Sequence, residues 1–300
     1  MNNPTLQFRE RVNKAYARFT EGDRTIADHL LRTYPTGLLE SASAIARALG
    51  LHVSTVTRFF PKIGYANIRA ANRDVRETLD FLMAPPLARV RGRNRAVTGD
   101  TALFEEVQRL DLKNIQDTFA DLSFRDVRRF LGFLLDGKRS VYIFGARKHF
   151  SLCYYAFIQL NGVRDNVFLA PTGNFYVADL LARMRAGDVL WLFDFRRYPR
   201  IGSKVAAYAK QVGAEMVLFT DSPLAPPARD ADLRFISATG GASSFDSYAG
   251  CVSLINAFLA EYVRRAPETV RKRYEIQEAL FRHFDIFTWQ DRLPAHPRPR

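Results

Sequence analysis

Between positions 140 and 236, five short apolar runs, almost free of polar interruption, alternate with longer stretches of helical periodicity. The runs cover 140–144, 167–170, 189–193, 216–220 and 233–236; the helical stretches cover 150–160, 176–184, 202–211 and 248–263. A strand that is apolar on both faces has no side to offer water, so each run must lie in a sheet with helices above and below it. Alternation of strand and helix makes neighbouring strands parallel, joined by right-handed crossovers. Two more amphipathic helices, 101–120 and 124–135, come before the first run, and one, from 268 to about 286, follows the last. The pattern predicts an α/β unit over 101–288, with three αβα layers around a parallel five-stranded sheet.

The residues before 83 follow another pattern, in which helical periodicity is broken by short turns. Thr20-Glu21-Gly22-Asp23 has the form of a capping box, with Asp in place of the usual Glu, and opens a helix reaching Leu31. Pro35 and Gly37 close that region. In SASAIARALGLHVSTVTRFFPKIGY (41–65), Ala44, Ile45, Ala48 and Leu49 repeat at helical spacing, and Val56, Phe59, Phe60 and Ile63 do so beyond Gly50. Gly50 supplies the positive φ of a sharp turn. His52, Ser54, Thr57, Arg58 and Lys62 are left facing outward, all able to hydrogen-bond. A small-residue helix, a glycine turn and a polar, basic second helix form the pattern of a helix-turn-helix DNA reader. A further basic helix, 67–82, places Arg69, Arg73 and Arg76 on one face.

Charge points the same way. The chain carries +13, of which +7 falls in the first 100 residues and +6 in the remaining 200. Such an excess suits an anionic partner: nucleic acid, an acidic membrane or a phosphorylated ligand. No apolar run approaches the ~18 residues of a membrane span, and MNNPTLQFRERVNK lacks a signal-peptide core. A soluble cytoplasmic protein is therefore expected. Cys153 and Cys251 sit in apolar settings without metal-ligand spacing and read as small buried hydrophobes. The expected organisation is a helical helix-turn-helix domain over 1–83, a basic linker over 84–100, the α/β domain over 101–288 and a flexible tail over 289–300. Arg89, Arg91, Arg93 and Arg95 make the linker either a solvated tether or an extra contact to phosphates.

This order of parts resembles the RpiR/MurR-type transcriptional regulators. FTEGDRTIADHLL and AIARALGLHVSTVTRFFPKIGY carry the resemblance in the first part, and VYIFGA, GDVLWLF and AKQVGAEMVLFTD carry it in the second. The match spans nearly the whole chain. It implies an N-terminal helix-turn-helix domain and a C-terminal SIS (sugar isomerase) domain. It also implies control of catabolic genes by a small effector, often a phosphosugar, and assembly as a homodimer or homotetramer. Double-stranded DNA is the expected partner. His52 stands where the family usually has a capping Ser, which implies either a weaker cap or a DNA contact, and Pro61 falls near the end of the reading helix.

Expected DNA contacts are thus His52, Ser54, Thr57 and Arg58 on bases or phosphates, with Lys62, Arg69 and Arg73 on phosphates. The loops after the first and third strands depart most from the family. Phosphosugar-binding SIS domains carry Ser and Thr hydroxyls there, whereas this chain has Gly145-Ala146-Arg147-Lys148-His149 and Phe193-Asp194-Phe195-Arg196-Arg197-Tyr198. Both loops lie at carboxyl ends of strands, where parallel sheets bind ligands. Gly145, Arg147, Lys148, His149, Arg196 and Arg197 are therefore candidates for an anionic effector, or for salt bridges at an interface. Asp194 would orient an Arg or receive a ligand hydroxyl. Ser243 and Ser244, in the loop before the last long helix of the sheet domain, add donors. No cofactor or metal is expected: the five His are scattered, and no Walker, GxGxxG or GxSxG motif occurs. An isomerase-like enzyme with a helical assembly domain is the alternative; His149 is its candidate base, without an evident acid partner.

Overall fold

The computed structural model describes residues 4–33, 36–83, 101–120, 122–170 and 176–287. The N-terminal region holds α1 (Pro4–Ala15), α2 (Glu21–Thr33), α3 (Thr36–Leu39), α4 (Ala42–Leu49), α5 (Val53–Lys62) and α6 (Ile68–Met83). The capping box forms. Thr20 donates to Asp23 Oδ2 from its N–H (2.9 Å) and its hydroxyl (2.8 Å), and its Oγ1 accepts from the Asp23 N–H at 3.3 Å. Ser41 caps α4 by accepting from Ala44 N (3.1 Å), and Asn67 caps α6 by accepting from Ala70 N (3.0 Å). Gly50, at φ +65°, ends α4 and turns the chain into α5. These helices bury their own core, which includes Phe8, Val12, Ile26, Leu30, Ile45, Val56, Phe59 and Phe60. Pro61 lies in the final turn of α5, which stops one residue later.

The second region runs α7 (Ala102–Ala120), α8 (Phe124–Leu135), β1 (Val141–Phe144), α9 (Phe150–Val163), β2 (Val167–Leu169), α10 (Tyr176–Leu181), β3 (Val189–Phe193), α11 (Arg200–Val212), β4 (Glu215–Thr220), β5 (Leu233–Ile236), α12 (Ala249–Arg265) and α13 (Pro267–His283). The five strands are parallel in the order β2-β1-β3-β4-β5. Val141 pairs with Val167 on one side and Val189 on the other, and Val217 pairs with Leu233. Ile143, Trp191, Phe193, Val217, Phe219 and Phe235 face α8, α9 and α12. Tyr142, Phe144, Leu190, Leu192, Met216 and Leu218 face the opposite core, with α10 and α11. Both faces of the sheet are covered, which accounts for strands without polar alternation.

Phe130 of α8 is a hub of the first of these cores. Its ring lies 5.0 Å from Trp191, 4.9 Å from Phe258 and 5.9 Å from Phe235. Arg164 is carried inside, 2 % exposed. Its guanidinium donates to the carbonyls of Leu134 (2.8 Å), Asp136 (2.8 Å), Arg139 (2.6 Å), Asp165 (2.7 Å) and Asn166 (3.4 Å), tying the approaches to β1 and β2 together. Gly250 lets α7 and α12 touch: a Cβ there would stand 2.4 Å from Thr118 Oγ1 and 2.9 Å from the Asn114 carbonyl. Cys153 and Cys251 are both buried and unbridged. No helix among the described residues is long and apolar enough to cross a membrane. The expected linker at 84–100 and tail at 289–300 lie outside the described residues.

Candidate functional site

Residues that carry chemistry gather in two places. The first is the outer face of α5. His52 precedes it in extended conformation, and its Nδ1 accepts from Ser54 N (3.2 Å) while standing 2.7 Å from Ser54 Oγ. The imidazole thereby performs the capping that a Ser hydroxyl would otherwise supply. Arg58 Nε donates to the Ser54 carbonyl (3.1 Å) and Nη2 to Ser54 Oγ (3.3 Å), so the guanidinium lies braced along the helix. Thr57 Oγ1 also donates to the Ser54 carbonyl, at 3.1 Å. His52, Thr57 and Arg58 are exposed and Ser54 is half-buried, while Val56, Phe59 and Phe60 of the same helix are buried. Arg69 and Arg73 are exposed on α6.

Lys62, expected on a phosphate, has a partner within the chain. Its Nζ donates to Asp23 Oδ2 at 2.5 Å, and the Asp23 side chain is 1 % exposed. Burial alone would raise the Asp23 pKa, but the bonds from Lys62 and Thr20 override it and hold the carboxyl below its ordinary value. The last turn of α5 lies against the first turn of α2, so the half-exposed Lys62 side chain reaches the buried Asp23 carboxylate. Beside it opens a cleft of about 750 Å³, lined by Arg11, Lys14, Arg18 and Lys62, with Phe19 and Ile63 in its wall. The three cations from α1 and its following turn were not among the expected contacts, although their spacing was visible.

The second place is the carboxyl edge of the sheet. The strand order reverses direction between β1 and β3, and the loops after these two strands flank that point. Lys148 from the first loop and Arg196 from the second do converge, on a residue the sequence did not single out. Arg196 Nε donates to Asp246 Oδ1 at 2.6 Å and Nη2 donates to the same oxygen, while Lys148 Nζ donates to Oδ2. The Asp246 side chain is 1 % exposed and that of Arg196 7 %. Burial would raise the Asp246 pKa; Arg196 and Lys148 reverse this and keep it ionised. Arg196 N also donates to Asp221 Oδ1 (3.2 Å), which accepts from the Tyr198 hydroxyl (2.9 Å). Arg147 and Arg197 point to solvent and make no ion pair among the described residues.

Asp194 does not orient an Arg. It points against the first turn of α11, where a Cβ on Gly202 would lie 2.8 Å from its Oδ2. Its Oδ1 stands 3.8 Å from His149 Nδ1, and both residues are 1 % exposed. Burial, then the charge of Asp221, pushes the Asp194 carboxyl up to about 8; burial, then Lys148, pushes the His149 imidazole down to about 3. Asp221 is itself pushed up to about 6 by burial, against the pull of Arg196. Near neutral pH the His149–Asp194 pair is thus a neutral acid beside a neutral base.

Gly145 is required by packing, since a Cβ there would meet Cys153 Sγ at 2.6 Å and the Phe193 carbonyl at 2.9 Å. Ser243 is exposed and accepts from Phe245 N (3.2 Å), and Ser244 is half-buried. Their loop is fastened to α7: Asn114 Nδ2 donates to the Gly240 carbonyl (2.6 Å), Gly240 N donates back to Asn114 Oδ1 (3.0 Å), and Ala238 N donates to Thr118 Oγ1 (3.1 Å). Among the described residues no group of three His, Cys, Asp or Glu is placed to hold a metal ion.

Residues 134–261 match the SIS domain family, and the C-terminal region of this chain is a SIS domain. The sugar isomerase domain of an RpiR transcription factor from Sphaerobacter thermophilus has the same fold (TM-score 0.56, 22 % identity), covering 59 % of this chain and 98 % of that one. The NanR protein of Vibrio vulnificus, solved with ManNAc-6P, matches across both regions (TM-score 0.52, 14 % identity), covering 95 % of this chain and all of that one. A protein of Escherichia coli CFT073 matches 60 % of this chain at TM-score 0.50 and 15 % identity, and is covered in full. No curated protein matches the chain.

Proposed function

We propose that this chain is a DNA-binding transcriptional regulator whose SIS domain senses a small anionic effector of the phosphosugar class. The observation that carries this reading is α5: a capped helix with His52, Thr57 and Arg58 on its open face and its apolar residues turned inward. Its second turn enters the major groove, with Ser54, Thr57 and Arg58 toward the bases. Arg69, Arg73 and the cleft cations Arg11, Lys14 and Arg18 follow the phosphates. Fold likeness to the Vibrio NanR over both regions supports it. The protein works as a homodimer, which doubles the phosphate contacts and reads two half-sites. Exposed apolar side chains on α9 (Tyr154, Ile158) and α13 (Ile276, Leu280) support such an assembly.

The test is a salt titration of binding to the DNA beside the protein's own gene. Arg58→Ala should weaken binding and flatten the log–log salt slope by about 1, whereas Lys62→Ala should leave the slope nearly unchanged. Binding that ignores salt, or no retention of that DNA, overturns the reading. An isomerase reading has the His149–Asp194 pair in its favour. It ranks second because both side chains are sealed from solvent, and a sugar carbon would have to displace packed aromatic rings, Phe195 and Tyr248, to reach them. Turnover of a phosphosugar by the purified chain would reverse that order.

A further inference from the structure

We infer that the Asp246 carboxylate is a built-in competitor occupying an oxyanion site made by Lys148 and Arg196, and that an effector acts by displacing it. The inference rests on the regulator reading for its downstream consequence, and on the geometry alone for the site. Two cations, from loops on opposite sides of the strand-order reversal, grip one carboxylate by both oxygens. A guanidinium on one oxygen and an ammonium on the other is the arrangement that would hold a phosphate or carboxylate ligand. The ammonium side is the open one, because the Lys148 side chain is 48 % exposed while that of Arg196 is 7 %. A ligand therefore arrives at Lys148 first and reaches Arg196 as Asp246 leaves. A phosphate monoester brings two charges and three free oxygens to this pair, against the single charge of Asp246.

Asp246 lies in the irregular run between β5 and α12, next to Phe245, which is 79 % exposed. The same run is bonded to α7 at three points: Ala238 to Thr118, Gly240 to Asn114, and Ser247 Oγ to Asp111 Oδ1 at 2.5 Å. α7 is the first described helix after the N-terminal region, so of the elements this run touches it is the nearest in sequence to the reader. Release of Asp246 loosens 238–247 and changes what holds α7. Two arrangements of one segment, each favoured by a different anion, are the physical content of a switch.

The experiment is calorimetric titration of the full chain with inorganic phosphate, in the wild type and in Asp246→Asn, with folding checked by circular dichroism. The expected result is at least tenfold tighter phosphate binding in Asp246→Asn, and loss of that binding when Lys148→Ala is added. Unchanged or weaker binding in a folded Asp246→Asn overturns the proposal, as does failure of phosphate to bind either protein. Should Asp246→Asn not fold, hydrogen exchange of the wild type decides: saturating phosphate should speed exchange at the Ala238 and Gly240 amides, and unchanged or slower exchange overturns the proposal. No DNA enters these measurements, so they fail separately from the regulator reading.

Discussion

In the helical region Arg58, Arg69 and Arg73 keep their charge at the surface, whereas in the α/β region Arg164 and Arg196 are carried inside, 2 % and 6 % exposed. The difference follows from what each architecture leaves unpaired. Helices satisfy their own carbonyls except in the last turn, so a bundle has little to offer a buried guanidinium. A parallel sheet brings many strand ends and loop carbonyls to two edges, and there a buried cation finds partners. Arg164 works at the amino edge, on carbonyls, and Arg196 works at the carboxyl edge, on carboxylates. Lys62 of the helical region also stays exposed, but its ammonium has found a carboxylate, that of Asp23.

The contrast can be broken at either end. The largest effect is expected from Arg164→Met, which leaves the Leu134, Arg139 and Asp165 carbonyls without the guanidinium in a dry site (those of Asp136 and Asn166 keep backbone donors) and should cost ~3 kcal/mol or more of stability in denaturant unfolding. A loss below ~1 kcal/mol would mean that water replaces the guanidinium. Asp23→Ala should follow, at ~2 kcal/mol in the helical region, because it removes a helix cap and leaves Lys62 without its partner. If instead DNA affinity changes and stability does not, Lys62 belongs with the outward cations.

A smaller effect is expected from pH. The Asp194 carboxyl titrates at about 8 in the fold against 3.8 ordinarily, so the native state holds an extra proton between those values. Its contribution to stability is present below about pH 4 and is lost as pH rises through 8. Asp194→Asn has no such loss and should gain ~1–2 kcal/mol on the wild type between pH 5 and pH 8. Parallel pH profiles would show that the carboxyl is not buried as described. His149 acts in the other direction, since its depressed value of about 3 costs stability as pH falls below its ordinary 6.5. The smallest change is His52→Ala, ~0.5–1 kcal/mol, restored by His52→Ser if the imidazole acts as a cap.

Much of the fold was legible because it is written locally. Residues 189–193, 233–236 and 124–135 have the boundaries their apolar periodicity implies, and the 20–23 capping box and the Gly50 turn form as read. Contacts between distant segments were not legible. Lys62 and Asp23 are 39 residues apart, and Arg196 and Asp246 are 50 apart. Neither pairing leaves a periodic trace, so cations free on paper turn out to be held. Asp194 follows Phe193 and so turns to the opposite face of the sheet, toward the first turn of α11, where Gly202 leaves room for its carboxyl.

Trp191, one of two tryptophans (Trp289 lies outside the described residues), sits amid Phe130, Phe193 and Phe219, and residues 1–83 contain none. Its emission will be that of an indole shielded from water, and will redden when the sheet comes apart. With Trp289 replaced by Phe, a melt followed by that light is blind to the reader helices, so their loss has to be watched by another signal, such as ellipticity.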